Sequence, residues 1–429
     1  MFPVGAPLSV WLAWLETLSP KAINLGTSRV RLLMDKLQLR QPSKTILIGG
    51  TNGKGSCVTM TDALLRASGF SVGAYTSPHI SRYNERIVVN GKAADDHIII
   101  SAFEAVEAIR GNIELTYFEY GTLAALIIFA EAELDVWILE VGLGGRLDAT
   151  NAIEPAVALI TIVSLDHCAW LGNDIEAIAT EKAGIMRSGI PVIYGGSNVP
   201  KAIQQKSCEL GTELLLAGHD FKVEVGDNKR WSWHGPNGNF ESLKEPGLLG
   251  EFQIHNAAAV LAMLDAVDLI DNIDANLLNY VLPSLSLAGR SQRLTIDGIE
   301  WFFDVAHNPA AALALAMTLS SCKKSNMNFA IVGLLNDKDV DGIIAPLVEV
   351  VDRWITVSAN NERAVVSEKL ASRISNLTKQ ECHVSDSIAN AVEFARQETS
   401  KNDRILVTGS FFTVGPILDQ LAMESRSKI

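Results

Sequence analysis

Cysteine is scarce in this chain, and its few copies do not pair. Cys57, Cys168, Cys208, Cys322 and Cys382 are scattered, odd in number and never at CxxC spacing. That excludes a disulfide framework and a cysteine zinc site, and reduced thiols point to the cytoplasm. Long apolar runs are missing too. The most apolar stretch, Leu123 to Ala130, is cut off by Glu131 and Glu133, far short of the roughly 20 residues that a membrane span needs. Trp11, Trp14, Leu15 and Leu18 stand at helical spacing with no basic start before them, so no signal peptide is expected. Nor is there an excess of positive charge. With 36 Lys and Arg against 49 Asp and Glu, the formal net charge is −13, which argues against non-specific nucleic-acid binding. Anionic ligands must therefore meet local cations. Low-complexity tracts and internal repeats are absent, and with 48% apolar and 20% charged residues disorder is expected only at the ends.

What is present is alternation. The 429 residues are too many for one ordinary core, so two or three domains are expected. Strand candidates at Ile46–Gly49, Val72–Tyr75, Val136–Val141, Val157–Val163 and Pro191–Tyr194 alternate with helix candidates at Ala102–Arg110, Tyr120–Glu131, Ile175–Met186 and Val199–Cys208. That is the pattern of a mostly parallel sheet with helices on its faces. Phe221 to Phe240 differs: Lys222–Val225 and Arg230–Trp233 alternate around a polar turn, which reads as a small antiparallel hairpin. A Pro-, Ser- and Gly-containing stretch from Pro283 to Ser291 reads as a linker. Beyond it the alternation restarts, with strands near Trp301–Val305, Asn328–Val332, Trp354–Val357 and Arg404–Val407. The expected division is a nucleotide-binding domain over residues 1–288 and a smaller Rossmann-like α/β domain over 289–429.

Seven residues dominate the chemistry. Gly50-Thr51-Asn52-Gly53-Lys54-Gly55-Ser56 lies where the apolar strand Thr45–Ile48 turns into the helix pattern from Val58 to Ser68. Glycines let backbone amides approach a polyphosphate, a helix N-terminus adds positive potential, Lys54 neutralises charge, and the Ser56 hydroxyl can reach a magnesium ion. The spacing departs from GxxxxGK[ST], because Gly55 separates Lys54 from Ser56.

Four further groups sit at strand ends, where open parallel sheets place ligands. Thr76-Ser77-Pro78-His79 is either an ordinary turn before proline or part of a site. In Glu140-Val141-Gly142-Leu143-Gly144-Gly145-Arg146-Leu147-Asp148-Ala149-Thr150-Asn151, a strand ends in a carboxylate and then a glycine-rich loop. Close approach of a ligand is the expected reason for those glycines. Asp166-His167 follows the next strand, and Glu140 with His167 could hold a divalent ion against a γ-phosphate. Glu181-Lys182-Ala183-Gly184-Ile185, taken alone, reads as a solvated helix face.

Together these motifs, with His255-Asn256, Gly289-Arg290 and Asp304-Val305-Ala306-His307-Asn308-Pro309, resemble the folylpolyglutamate synthase family, including its bifunctional dihydrofolate synthase members. This family is similar to the Mur peptidoglycan ligases. The resemblance runs in order from residue 23 to residue 415. It implies a phosphate-loop, Mur-ligase-type N-terminal domain and a C-terminal α/β domain. Thr51, Asn52, Gly53, Lys54, Gly55 and Ser56 would wrap ATP, and Asn256, Arg290 and Asp304 would contact it. The resemblance also implies that Ser56, Ser77, Glu140, His167 and Lys182 surround two magnesium ions, with Lys182 carboxylated by carbon dioxide to an anionic carbamate. Ile23, Asn24, Leu25, Gly26, Thr116, Tyr117, Phe118, Glu119, Leu147, Asp148 and Ala149 would hold the pterin, and His307 the glutamate side.

The implied activity is ATP-dependent ligation of L-glutamate to 7,8-dihydropteroate and to reduced folates through an acyl phosphate, by a cytoplasmic monomer. Glutamate-tail extension alone, or a Mur-type amino-acid ligation, are the alternatives. One departure stands out: Gly409-Ser410-Phe411-Phe412-Thr413-Val414 matches a segment of the bifunctional enzymes but carries Phe412 where histidine is expected.

Overall fold

Three sheets organise the chain, and each follows from how its strands are buried. The structure, a computed structural model, describes residues 3, 5–18, 24–226 and 228–427. Eight strands form the first sheet: β1 (Lys44–Gly49), β2 (Val72–Tyr75), β3 (Ile87–Val89), β4 (Lys92–Ala93), β5 (Val136–Glu140), β6 (Val157–Ile160), β7 (Val192–Tyr194) and β8 (Leu214–Leu216). Their order is β4-β3-β2-β5-β1-β6-β7-β8. From β2 to β8 the pairing is parallel, and β5 and β6 are buried along their whole length, as strands covered by helices on both faces must be. β1 lies between β5 and β6, while its own connection leads across to β2 on the far side of β5. The chain therefore reverses direction at β1, which opens a crevice at the carboxyl ends of β1 and β5.

β3 and β4 are antiparallel additions that the sequence signals with Asn90-Gly91 between them. Both residues have positive φ, 50° and 77°, the conformation a tight two-residue hairpin requires. The expected hairpin at 221–240 is one strand larger: β9 (Lys222–Val225), β10 (Arg230–His234) and β11 (Asn239–Lys244) form a three-stranded antiparallel sheet. Trp231, Trp233 and Leu243 are its buried side chains, and the Trp233 indole donates to Ala258 O at 3.1 Å, fastening the sheet to the helix Phe252–Asp265.

The third sheet runs β12-β13-β17-β14-β15-β16, from β12 (Gln292–Ile296), β13 (Ile299–Asp304), β14 (Asn328–Val332), β15 (Arg353–Val357), β16 (Cys382–Ser385) and β17 (Arg404–Thr408). All pairs are parallel except β12 with β13. Its core packs Phe302, Leu315, Val332, Ile343, Trp354, Leu370 and Leu406. The sequence pattern misses β12 and β16 because both are only partly buried, so they lack the apolar run that marks the central strands.

The chain divides into two compact units. One comprises residues 1–163, 174–245 and 254–284; the other comprises 164–173, 246–253 and 285–429. Two short stretches on the N-terminal side of the expected 288/289 division thus pack with the C-terminal unit. No helix among the described residues is long and apolar enough to cross a membrane.

Candidate active site

The phosphate loop is held open by its own hydrogen bonds. Gly50 and Gly53 have φ of 135° and 89°, where a side chain is strained. A Cβ at Gly50 would also lie 2.0 Å from Thr161 Oγ1, and one at Gly53 2.7 Å from Asn256 Oδ1. Thr51 N donates to Ile162 O at 2.7 Å and the Thr161 hydroxyl donates to Asn52 O at 2.6 Å. The Lys54 ammonium reaches back to Gly50 O and Thr51 O at 3.1 and 3.2 Å. The helix Lys54–Ala67 begins here, and its first intrahelical bond is Cys57 N to Gly53 O, so the earlier amides belong to the positive helix end. Asn256, remote in sequence, is thereby placed against the loop. Burial, with a smaller contribution from Glu140, pushes the Cys57 thiol far above its usual range.

At the next strand end, Glu140 is buried at 4% exposure and its carboxylate accepts from Ser77 N at 3.1 Å. The glycine-rich loop then runs under the helix Ile175–Ala183. A Cβ at Gly145 would lie 2.7 Å from Glu181 O and 3.0 Å from Lys182 Cα, and one at Gly142 2.6 Å from the Phe118 ring. Protein atoms, rather than ligand approach, account for these two glycines. Arg146 clasps the same helix, through Arg146 N to Glu181 O and a guanidinium–carboxylate pair with Glu181, both at 2.8 Å. Asn151 bridges Arg146 O and Gly184 O. Lys182 is buried at 4% exposure, which corrects the reading of the Glu181-Lys182 pair as a solvated face: of the two, only Glu181 keeps partial exposure.

The segments expected to hold a pterin are brought together, except Ile23, which lies outside the described residues. Gly26 N donates to Leu147 O at 2.9 Å, and Arg29, which also donates to Asn24 O, pairs with Glu119 at 2.8 Å. Glu119 and Thr116 form a capping box at the start of the helix Tyr117–Glu131: Thr116 N donates to Glu119 Oε2 at 2.8 Å and Glu119 N to Thr116 Oγ1 at 3.2 Å. Both oxygens of Glu119 thus have protein partners, a structural duty beyond the expected one. Asp148 is buried and accepts from Leu143 N, Thr150 N and the Thr150 hydroxyl at 2.8, 3.0 and 2.7 Å. Burial raises its carboxyl above the usual range, against the opposing pull of those donors. Ala149 starts the short turn Ala149–Ala152 and is buried.

The C-terminal unit carries its own cluster. Asp166 Oδ1 accepts from the Lys338 ammonium at 2.6 Å and from His167 N at 2.7 Å, while Oδ2 accepts from Asn308 Nδ2 at 3.0 Å. His307 Nε2 lies 3.3 Å from Asp166 Oδ2, and its Nδ1 lies 2.8 Å from Val305 O. Burial alone would raise the Asp166 carboxyl, yet the His307 hydrogen bond and the charges of His307, His167 and Lys338 hold it far below the usual range. His167 has a left-handed backbone, φ 51°, an uncommon state for a residue with a side chain. Lys338 gave no signal in the sequence. Asp304, at the end of β13, accepts from Ser291 N and Oγ at 2.8 and 3.1 Å; burial raises its carboxyl, opposed by Arg290. The Arg290 guanidinium lies 5.4 Å from the Phe411 ring centroid, with His307 6.0 Å from the same ring. Phe412 is 40% exposed.

Residues 48–264 match the Mur ligase middle domain, and residues 289–411 match the Mur ligase glutamate ligase domain. The chain is similar to the dihydrofolate synthase/folylpolyglutamate synthase of Escherichia coli K12, with 39% identity over 416 residues, 97% of this chain and 96% of that protein. The chain belongs to the dihydrofolate synthase/folylpolyglutamate synthase family. Among solved structures, E. coli FolC in complex with DHPP and ADP superposes with a TM-score of 0.92 at 38% identity, covering 98% of this chain and 99% of that one. A bifunctional folylpolyglutamate synthase/dihydrofolate synthase with Mn, AMPPNP and L-glutamate bound superposes at 0.89 and 36% identity, covering 98% of this chain and 100% of that one. The family fold expected from the motifs, a phosphate-loop sheet domain and a separate C-terminal α/β domain, is the fold observed.

Proposed function

We propose that this protein joins L-glutamate to 7,8-dihydropteroate and to reduced folates using ATP, as a cytoplasmic monomer. The observation that carries the reading is the phosphate loop at the reversal point of the sheet, with Ser77 and Glu140 linked at the adjoining strand ends. The wall built from residues 24–26, 116–119 and 147–149 belongs to the same unit.

A carboxylate does not condense with an amine at neutral pH, because oxide is a very poor leaving group. Attack of the carboxylate oxygen on the γ-phosphorus of ATP breaks the bond to the β-phosphate oxygen and gives an acyl phosphate and ADP. The glutamate amine then adds to the acyl carbon, and loss of its proton and of phosphate leaves the amide. Catalysis of the first step is mostly positioning and charge neutralisation. Thr51 to Ser56 hold the phosphates, Lys54 offsets the developing charge, and Asn256, against the loop, contacts the nucleotide. Phe118, with its ring over Gly142, offers an apolar surface to a flat heterocycle and Asp148 an acceptor for its N–H groups. His307 serves the glutamate side.

The donor set fits magnesium. The buried Glu140 carboxylate and the Ser56 and Ser77 hydroxyls, all in one unit, are hard oxygen ligands. Lys182, as a carbamate formed with carbon dioxide, would complete an anionic set for two ions. Bound there, magnesium would neutralise phosphate charge. The test is ADP release over many turnovers: sustained release should require dihydropteroate and glutamate together, and sustained release indifferent to both would overturn the reading.

A further inference from the structure

A buried cation in the N-terminal unit has no part in the chemistry above. Arg86 is 9% exposed and pairs with no carboxylate among the described residues. Its guanidinium lies 5.4 Å from the Tyr83 ring centroid and 5.6 Å from that of Tyr117, and its Nε donates to His79 Nδ1 at 2.9 Å. Accepting that bond requires the neutral imidazole, so the histidine supplies no countercharge. The hydroxyls of Tyr75 and Tyr83 are buried; Tyr83 makes no hydrogen bond of ordinary geometry, and Tyr75 faces only Arg86 and Thr122. They converge on one spot, since a Cβ at Gly121 would lie 2.4 Å from Tyr83 Oη and 3.1 Å from Tyr75 Oη. A buried guanidinium without a carboxylate, beside the unpartnered Tyr83 hydroxyl and a Tyr75 hydroxyl with weak contacts only, is costly unless a ligand completes it.

The location narrows the ligand. Arg86 O accepts from Thr76 N at 2.9 Å, one residue before Ser77, and Ile87 pairs with Tyr75 across β2 and β3. Tyr117 precedes Phe118, whose ring is 5.9 Å from that of Tyr75. The cation therefore borders both the reacting end of the site and the wall assigned to the pterin. Dihydropteroate carries one carboxylate, which is the one that reacts. A folate monoglutamate carries a second, the α-carboxylate, two methylene groups and one carbon away from the reacting γ-carboxyl.

We propose that Arg86, with the Tyr75 and Tyr83 hydroxyls, binds the α-carboxylate of the terminal glutamyl unit when a folate is the substrate. The assignment rests on the folate-ligase reading and adds a subsite that separates its two substrates. A guanidinium presents paired N–H donors to a carboxylate, and the phenols donate to its remaining lone pairs.

The test compares KM for dihydropteroate and for a reduced folate monoglutamate in the wild type, Arg86→Gln and Arg86→Lys, with thermal unfolding of each. In Arg86→Gln the KM for the folate should rise at least about tenfold more than that for dihydropteroate, the loss of a charge-assisted pair. Arg86→Lys should recover part of that difference. Equal rises for both substrates in either variant, or no rise for the folate, would overturn the proposal. If Arg86→Gln does not fold, the comparison is read from Arg86→Lys alone, where loss of the fork should still penalise the folate selectively. A wild type that ligates neither substrate would instead refute the underlying reading.

Discussion

Replacing Gly145 by alanine separates two explanations of the glycine-rich loop. The added Cβ would stand 2.7 Å from Glu181 O and 3.0 Å from Lys182 Cα, and ordinary contact begins at 3.4 Å. The loop and the helix must therefore part by about 0.7 Å, and the atoms that move are backbone rather than a flexible side-chain end. Overpacking of this kind costs about 1–3 kcal/mol. Alanine recovers about 0.4–1 kcal/mol by restricting the unfolded chain. The net loss of roughly 1–2 kcal/mol corresponds to a fall of about 2–8 °C in Tm for a unit of this size. Because the displaced residue is Lys182, kcat should fall by as much as about a hundredfold, the effect of a misplacement near 1 Å. Differential scanning calorimetry and steady-state ligation measure the two effects. An unchanged Tm with a raised KM alone would mean that a ligand, not the helix, demands the glycine, and the packing account would be wrong.

Lys54→Ala should lower turnover by about a hundredfold or more, with a stability loss near 1 kcal/mol from the two carbonyls it bonds; unchanged turnover would contradict its role. Glu107 accepts from Arg110 and from the Tyr120 hydroxyl. Burial raises its carboxyl, but these bonds outweigh it and hold the group below its usual value. It therefore adds stability above the unfolded carboxyl pKa of about 4.3, and loses it as pH falls through the lower folded value. Glu107→Gln should flatten the acid side of the urea stability profile, and an identical profile would refute this. Among the cysteines, exposed Cys208 should react with a thiol reagent in the native protein, while buried Cys57 should not until unfolding; the order of labelling by mass spectrometry decides.

The phosphate loop was legible because strand, glycines, lysine and serine are contiguous and each has one mechanical use. Ser77, Glu140 and Asp148 were legible as strand-end polar residues. The role of the glycines was not, because Gly145 answers to Lys182, on a helix later in the chain, and periodicity says nothing about which element a loop will touch. Lys182 misled for the same reason: Glu-Lys on a helix reads as solvated until Arg146 and the loop cover it. Residues 164–173 pack with the C-terminal unit through Asp166, Lys338, His307 and Asn308, a neighbourhood that chain order hides. Lys338 sits in a loop with no motif around it.

The central claim is that the substrate carboxylate is phosphorylated before glutamate attacks. Dihydropteroate labelled with oxygen-18 in its carboxylate tests this in one mass measurement. One labelled oxygen should leave in inorganic phosphate as each glutamate is joined. Ligation that leaves the phosphate unlabelled, or phosphate release without any glutamyl product, would contradict the account.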